Sequence, residues 1–594
     1  MPAPEQGSEL RVKIGGEAGF GIKAAGQTLA RSFVAAGLEV FDLTEYPSLI
    51  RGGHNTYTLR VSPNPISSHV EAVDILVALN EETARLHVGE LVPGGAVIYD
   101  PADGEPVWVG GHDVALVPVP LMDMARAAGG KIMRNTVALG AVLALVDFPL
   151  DHLSDGLRAQ FAKKAPEVAE SNIAAATAGY DHARAALPDF WLRVAPKPGA
   201  TRRLLVDGNE AIGLGALAAG IGLYAAYPMT PASSVLHFMA AHERGASVVV
   251  KHTEDEIAAM NMVVGAAFTG TRAMCASAGG GFALMVEAFG MAGVAESAVV
   301  VGVFTRPGPA TGLPTWTEQS DLRYVVHAAQ GEFPRVVLAP GDRTDAFELT
   351  WKAFNLADQL QTPVIILGDS YLSDNRQSVP YFDVDAVTVE RGKLIAEGDV
   401  ADHPQALGPD GRYLRYKVTD DGVSWRALPG VTGARQLGNS YEHDERGYGS
   451  AGEPADVRAA QNEKRMRKLD LARTLVPPPA YFGPPPSEAE VSMIVFGTTK
   501  GPALEVQSWL AEEGVSLAIM QLVTVWPFPA DEVTAFIDEA KRTTIVEGNY
   551  TGQLQGLVRE QCLRDVSAHL RRYDGRPFSP ERIYAHVKEV LRDA

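Results

Sequence analysis

Two acids, Glu254 and Glu256, stand within the stretch VVVKHTEDEIAAMNMVVGAAFTG, whose later residues are almost wholly apolar. A carboxylate in that place either caps a helix, where acids suit the N-terminal dipole, or is held in an apolar cleft for proton chemistry. Spacing alone favours the cap. Upstream, Tyr227-Pro228-Met229-Thr230-Pro231 sets a hydroxyl between two prolines that fix the backbone on either side. Downstream, Gly279-Gly280-Gly281 marks a glycine turn. The irregular run 305–319 carries Arg306, whose guanidinium fork matches a carboxylate, and the hydroxyl of Thr311. Arg306-Pro307-Gly308-Pro309 can equally be a rigid turn. Near the start, Gly15, Gly16, Gly19 and Gly21 are spaced G-G-x-x-G-x-G, which is not the dinucleotide pattern. Their N–H groups at a helix start could cradle a phosphate, and a tight strand-to-helix turn would need the same small residues. Arg51-Gly52-Gly53 puts a cation in a loop near the expected ligand edge of a sheet, or is an ordinary solvated arginine.

The elements that must hold these residues follow from periodicity. Residues 248–250 are a β-branched run expected as a buried strand. Residues 257–268 are expected as a helix buried on nearly all sides, because Asn261 and Gly265 are its only non-apolar breaks. Strand-length apolar runs alternate with helical stretches along most of the chain, predicting a multidomain α/β protein. The expected units are 1–192, 203–380 and 487–594, with a Pro/Gly linker at 193–199 and an irregular excursion and linker at 381–486. The first unit reads as a parallel sheet with crossover helices, with His54-Asn55 in a loop. In the second, Asn209-Glu210 is expected to cap a helix from Ala211. In the excursion, Lys464-Arg465-Met466-Arg467-Lys468 reads as the solvated face of a helix over 456–473. Glu442 to Glu445, with His443, reads as surface charge rather than metal ligands. The prolines of 477–486 read as a stiff linker.

At 594 residues the chain exceeds one ordinary core, and 46% hydrophobic with 21% charged residues is a globular composition. A net charge of −20 argues against nucleic acid, which requires a basic footprint. Cys275 and Cys562 are the only cysteines, too few for a disulfide framework or a four-thiolate iron–sulfur cluster. The start lacks the pattern of a secretory signal, and the uncharged run 211–227 is rich in Ala and Gly. No membrane span and a cytoplasmic location are therefore expected.

In this order, the motifs together resemble the α subunit of the 2-oxoacid:ferredoxin oxidoreductases, which are thiamine-diphosphate enzymes. YPMTP resembles that family's Y-P-I-T-P segment, with Met229 for Ile. Glu256, nine residues before Gly265, resembles its thiamine-activating glutamate, and TRPGPATGLPTWTEQSDL resembles its substrate loop. GGEAGFGIKAAGQTL and RGGHN look like the γ subunit that is a separate chain in some members, here fused ahead of α. The resemblance implies a γ-type domain over 1–192, a thiamine pyrimidine-binding-like domain over 203–380 and a transketolase C-terminal-like domain over 487–594.

It also implies a reaction: 2-oxoglutarate, coenzyme A and oxidised ferredoxin giving succinyl-CoA, CO2 and reduced ferredoxin, or the reverse, carbon-fixing carboxylation. Glu256 would be catalytic, hydrogen-bonded to N1′ of the aminopyrimidine so that the neighbouring 4′-nitrogen can take the C2 proton. Tyr227, Pro228 and Glu254 would contact that cofactor, Glu254 being the fallback acid. Thr230, Arg306 and Thr311 would bind substrate, and Gly15, Gly16, Gly19, Gly21 and Arg51 are candidates for coenzyme A. Thiamine enzymes hold the diphosphate through Mg2+ on a G-D-G run, and Gly368-Asp369-Ser370 lacks its second glycine. Mg2+, the diphosphate half of the site and a [4Fe-4S] cluster are therefore expected on a β subunit, in a dimer of αβ pairs that serves ferredoxin. Pyruvate or a branched or aromatic 2-oxoacid is the alternative substrate. A non-catalytic nucleotide-binding scaffold is an alternative of another class, but it has no use for a carboxylate at Glu256. A transketolase-like transferase would normally carry its own G-D-G.

Overall fold

The computed structural model describes residues 9–49, 52–104, 111–449 and 454–592. Arg51 therefore lies outside the described residues. The chain forms two compact units. One comprises residues up to Asp207 together with 374–381 and 579–585; the other comprises 208–373, 382–578 and the residues from 586.

The first unit is built on an eight-stranded sheet of β1 (Leu10–Glu17), β2 (Glu39–Glu45), β3 (His54–Ser62), β4 (Val73–Ala78), β5 (Leu91–Tyr99), β6 (Val114–Pro118), β7 (Leu204–Asp207) and a returning strand, β14 (Arg376–Val379), in the order β6-β5-β4-β1-β3-β2-β14-β7. Only the β6-β5-β4-β1 half is parallel; β3, β2, β14 and β7 pair antiparallel. The expected all-parallel sheet is thus corrected. The strand missed is β3, where Tyr57, Leu59 and Val61 alternate with Thr56, Thr58 and Arg60, all buried. Its polar face is buried like its apolar one, with Arg60 ion-paired to Glu9 at 2.8 Å. The helices Ile22–Ala35, Arg134–Leu145 and Pro166–Ala186 supply much of the covering layer.

The second unit carries a seven-stranded sheet, in the order β20-β12-β13-β11-β10-β8-β9, of β8 (Leu223–Ala226), β9 (Val249–His252), β10 (Ala273–Ser277), β11 (Val299–Thr305), β12 (Val336–Leu338), β13 (Val364–Asp369) and β20 (Thr524–Trp526). All neighbours are parallel except β12 and β20. Alternate residues feed two cores: Cys275, Val299, Val301 and Val303 on one face, Met274, Ala276, Val300 and Phe304 on the other. Burial pushes the Cys275 thiol up to about 12, so it is a core residue and not a nucleophile. A second sheet in this unit orders β17 (Ala480–Phe482), β18 (Val491–Phe496), β19 (Leu517–Leu522), β21 (Thr543–Glu547) and β22 (Ala568–Arg571) as β17-β19-β18-β21-β22. The supposed linker 477–486 thus holds an edge strand, β17, paired antiparallel to β19. Edge position explains the prolines around it, since they need donate to no ladder.

The excursion after residue 381 has a small core of its own, including Ile395, Tyr413, Ala427 and Val431, over the short pair β15 (Leu394–Ile395) and β16 (Arg426–Ala427). It is pinned by charge. Asp358 accepts from Arg272 Nε and Arg426 Nη2, each at 2.9 Å, all three side chains buried. The basic run on helix Ala455–Leu475 corrects expectation more sharply: Lys464, Arg465 and Lys468 are buried. Lys464 Nζ lies 2.5 Å and Lys468 Nζ 2.6 Å from the carboxylate of Glu296, which is itself fully buried. Burial alone would raise the Glu296 pKa, but Lys464, Lys468 and Arg415 hold it well below the usual carboxylate range. Glu442 pairs with Arg465 at 2.8 Å and Arg458 at 2.6 Å, and His443 is buried, so that cluster is structural and not a charged surface. Among the described residues no group of three or more His, Cys, Asp or Glu is placed to hold a metal, and no helix is long and apolar enough to cross a membrane.

Candidate active site

From β8 the chain steps to β9 on one side and to β10 on the other, so the strand order reverses at β8. Open α/β sheets bind ligands at the carboxyl edge beside such a reversal. The candidate residues converge there. Tyr227 to Pro231 leaves β8, and Asn209 Nδ2 anchors the turn by donating to Pro231 O at 2.8 Å. Asn209 was expected to cap its helix. It lies inside the helix Gly208–Ala218 instead, fully buried, because the backbone of the Pro-rich turn offers a better acceptor than solvent.

β9 pairs parallel with β8, and Thr253 N–H donates to Ala226 O at 3.1 Å. The expected buried strand at 248–250 is corrected, since β9 is the sheet's edge and Val249 is 59% exposed. The following helix is Glu256–Phe268. Its cap is neither of the two glutamates. Asp255 accepts from Ala258 N–H at 2.7 Å, leaving Glu256 as the first helical residue. That offset separates the two acids: Glu254 is exposed, whereas Glu256 is 2% exposed. The helix is not buried all round either, because Ile257 and Met262 are 48% and 38% exposed.

Glu256 Oε1 is buried without a hydrogen-bond partner among the described residues. A buried acceptor left unpaired costs roughly 1–3 kcal/mol, so it marks a place where a ligand donor or shared proton is missing. The oxygen faces the turn between β10 and the helix Gly279–Val294. A Cβ at Gly281 would fall 2.7 Å from Glu256 Oε1 and would run into Ser277 Oγ. Glycine is required there because Ser277 Oγ and the carboxylate together occupy the space. Ser277 Oγ in turn lies 3.7 Å from Met229 Sδ, linking this turn to the Pro-rich one. From the end of β11, Arg306 Nη1 donates to Thr230 O at 2.6 Å. Burial lowers the Arg306 guanidinium from its ordinary value, and no carboxylate pairs with it among the described residues. Thr311 is exposed in the loop beyond, and Tyr227 is 38% exposed beside His252.

Asp321, which closes the same loop, was missed by sequence reasoning although it stands in the quoted stretch. A Cβ on Gly279 would collide with its carboxylate. Burial, aided by Glu318, pushes its pKa from 3.8 up to about 6. The folded state therefore holds that proton more tightly than the unfolded chain. The resulting stability penalty is absent well below 3.8, grows through the interval and is complete above about 6. Asp321→Asn is expected to raise the thermal midpoint at pH 8 and to lose most of that gain near pH 4. A gain independent of pH would contradict this account.

In the first unit the glycine segment divides. Gly15 and Gly16 belong to β1, with Cβ positions facing Thr83 and His54 for one and Phe20 and Leu79 for the other, so they serve packing. Gly19 and Gly21, at φ of 91° and 74°, form the turn and line a cavity of about 450 Å3 with Lys23, Thr44, Tyr46 and Asn55.

Comparison with known proteins identifies the family. Residues 214–447 match the family model described as "Pyruvate flavodoxin/ferredoxin oxidoreductase, thiamine diP-bdg". Residues 11–182 match "Pyruvate ferredoxin/flavodoxin oxidoreductase", and 489–583 match "Pyruvate:ferredoxin oxidoreductase core domain II". The chain is 32% identical to 2-oxoacid:ferredoxin oxidoreductase 2, subunit alpha, of Aeropyrum pernix, over 98% of both chains. It is 27% identical to the 2-oxoglutarate oxidoreductase subunit KorA of Mycobacterium tuberculosis, over 98% of this chain and 91% of that one. Among solved structures, a 2-oxoglutarate:ferredoxin oxidoreductase from Magnetococcus marinus, with 2-oxoglutarate, coenzyme A and succinyl-CoA bound, matches with a TM-score of 0.91 and 32% identity, covering 98% of this chain and all of that chain. The fold, the converging turns and these matches place the chain in the 2-oxoacid:ferredoxin oxidoreductase family, as an alpha subunit.

Proposed function

We propose that the chain oxidatively decarboxylates 2-oxoglutarate to succinyl-CoA with ferredoxin as acceptor, in an assembly with a β subunit. The observation that carries the catalytic reading is the unpartnered, buried Oε1 of Glu256 in a cradle that a Cβ at Gly281 would fill. A thiamine aminopyrimidine fits that orphan, and Glu256 would hold it by sharing a proton at N1′. When bound, thiamine diphosphate supplies the nucleophilic carbon that attacks a 2-keto group. Tyr227 and Pro228 would border the ring, and exposed Glu254 would have no part in the proton step.

Arg306 and Thr230 would take the substrate. The free guanidinium N–H groups suit a carboxylate, and the bond to Thr230 O fixes their direction. Thr311, farther along the loop, would reach substrate only if that loop folds inward. One such fork serves the carboxylate beside the keto group, which every 2-oxoacid carries. The 2-oxoglutarate relatives and the bound ligands of the Magnetococcus marinus enzyme support 2-oxoglutarate as the substrate. Coenzyme A would use the Gly19–Gly21 cavity. Mg2+, the diphosphate contacts and the iron–sulfur cluster would come from the β subunit, two αβ pairs would form the enzyme, and the cytoplasm would be its place. The same residues serve the reverse carboxylation.

The test is co-expression with a β subunit, followed by coenzyme A-dependent reduction of ferredoxin or a viologen across a panel of 2-oxoacids. Highest kcat/KM on 2-oxoglutarate is expected. Preference for pyruvate or a branched acid would overturn the substrate, and inactivity of a fully loaded complex on every acid would overturn the reaction. Arg306→Ala is expected to raise KM for the oxoacid roughly ten- to a hundredfold, the worth of one charge-assisted contact. An unchanged KM would return Arg306 to a purely structural turn.

A further inference from the structure

The first unit holds a second cavity, of about 590 Å3, whose lining includes Arg31, Lys197, Arg202, Arg203, His152 and Tyr381. No Asp or Glu lines it among the described residues, in a chain of net charge −20. It sits where helix Ile22–Ala35 ends, whereas the Gly19–Gly21 turn sits where that helix begins. Fourteen residues of helix put the two about 20 Å apart.

The basic side chains come from separate elements, so helix-end charge compensation does not explain the cluster. Arg31 lies on the helix but before its last turn, His152 lies on helix Asp151–Gln160, and the other cations lie on the segment 197–203. Arg203 pairs with Glu39. Arg31 and Arg202 are exposed, and neither has an ion pair or hydrogen bond among the described residues. The wall they share is built, not loose. Lys197 N–H donates to Ala36 O at 2.8 Å and Lys197 Nζ to Pro63 O at 3.0 Å. Gly37, at φ 86°, lets the segment approach so closely that a Cβ there would fall 2.5 Å from Lys197 O. Pro196 and Pro198 stiffen the same turn. Tyr381, 61% exposed, presents a ring at this cavity.

Like charges gathered on a fixed wall repel one another, which an anion relieves. Arginine forks match phosphate oxygens, an exposed aromatic ring stacks on a base, and the volume is that of a small-ligand site. We propose that this cavity binds a phosphorylated nucleotide, with its phosphates between Arg31, Lys197 and Arg202 and its base against Tyr381. The phosphates and base could belong to a free nucleotide or to the adenosine end of coenzyme A.

The experiment is calorimetric titration of the full chain, alone and in complex with its β subunit, using ADP, ATP, coenzyme A, pyrophosphate and poly-glutamate. Binding of the nucleotides is expected, weakened roughly ten- to a hundredfold in Arg31→Glu/Arg202→Glu, with an unchanged thermal midpoint. Tyr381→Ala should weaken ADP and spare pyrophosphate. If the double variant weakens ADP while KM for coenzyme A is unchanged, the ligand is a free nucleotide. If it raises KM for coenzyme A and weakens coenzyme A binding in parallel, the ligand is the coenzyme's own adenosine end. Absence of nucleotide binding, binding indifferent to the double variant, or equal binding of poly-glutamate would each overturn the proposal, the last by showing a site for an acidic polypeptide.

Discussion

Glu256→Gln is expected to leave a folded, cofactor-loaded complex whose turnover falls about 10²–10⁴-fold, the range for loss of a positioned acid–base group. The amide nearly matches the carboxylate in shape, so Gly281 and Ser277 need not move. What changes is the ability to share a proton at the oxygen now lacking a partner. Turnover of the assembled complex on 2-oxoglutarate measures the effect, with cofactor content checked separately. Near-normal turnover would remove Glu256 from the proton step. A full loss accompanied by loss of cofactor would make it a binding group alone.

Glu296→Gln is expected to give the largest loss of stability. It keeps the shape but leaves Lys464 and Lys468, both buried, facing an uncharged amide. Breaking a buried pair from one side typically costs about 3–5 kcal/mol, because the remaining charge is uncompensated. Burial already lowers Lys464 to about 7 and Lys468 to about 8 despite Glu296. Without it both fall further, and the folded state would shed protons at neutral pH. The expected result is a lower thermal midpoint that partly recovers as pH rises, since unprotonated lysines no longer oppose folding. Glu296→Met with Lys464→Met and Lys468→Met should recover much of the loss, as apolar replacement of a whole buried ionic set often does. Failure of Glu296→Gln to destabilise would show that the cluster is hydrated. The consequence reaches the site, because Glu296 follows the far end of the helix whose first residues are Gly279 to Gly281.

Local patterns carried the alternation of strands and helices, the ligand edge and the motifs gathered along it. They failed where partners are remote. The basic run at Lys464 to Lys468 has the periodicity of a solvated face, and nothing within a helical turn announces that its counter-charge lies 168 residues earlier. β3 carries the alternation of a half-exposed strand, and only the structure shows that its polar face is buried as well. Conversely, Val249 and Ile257 are apolar yet exposed, and an apolar residue at an edge reads in sequence like one in a core.

For the acids that matter, one residue of helical phase decides. The sequence alone determined that a carboxylate leads an apolar helix beside a Pro-rich turn and a glycine turn, because composition and order are local. Which carboxylate is buried was settled only by tertiary structure. Asp255 takes the cap, which rotates Glu256 inward against Gly281 and leaves Glu254 in solvent. Burial is a property of what packs across from a residue, and for Glu256 that neighbour arrives on the helix Gly279–Val294, which follows β10.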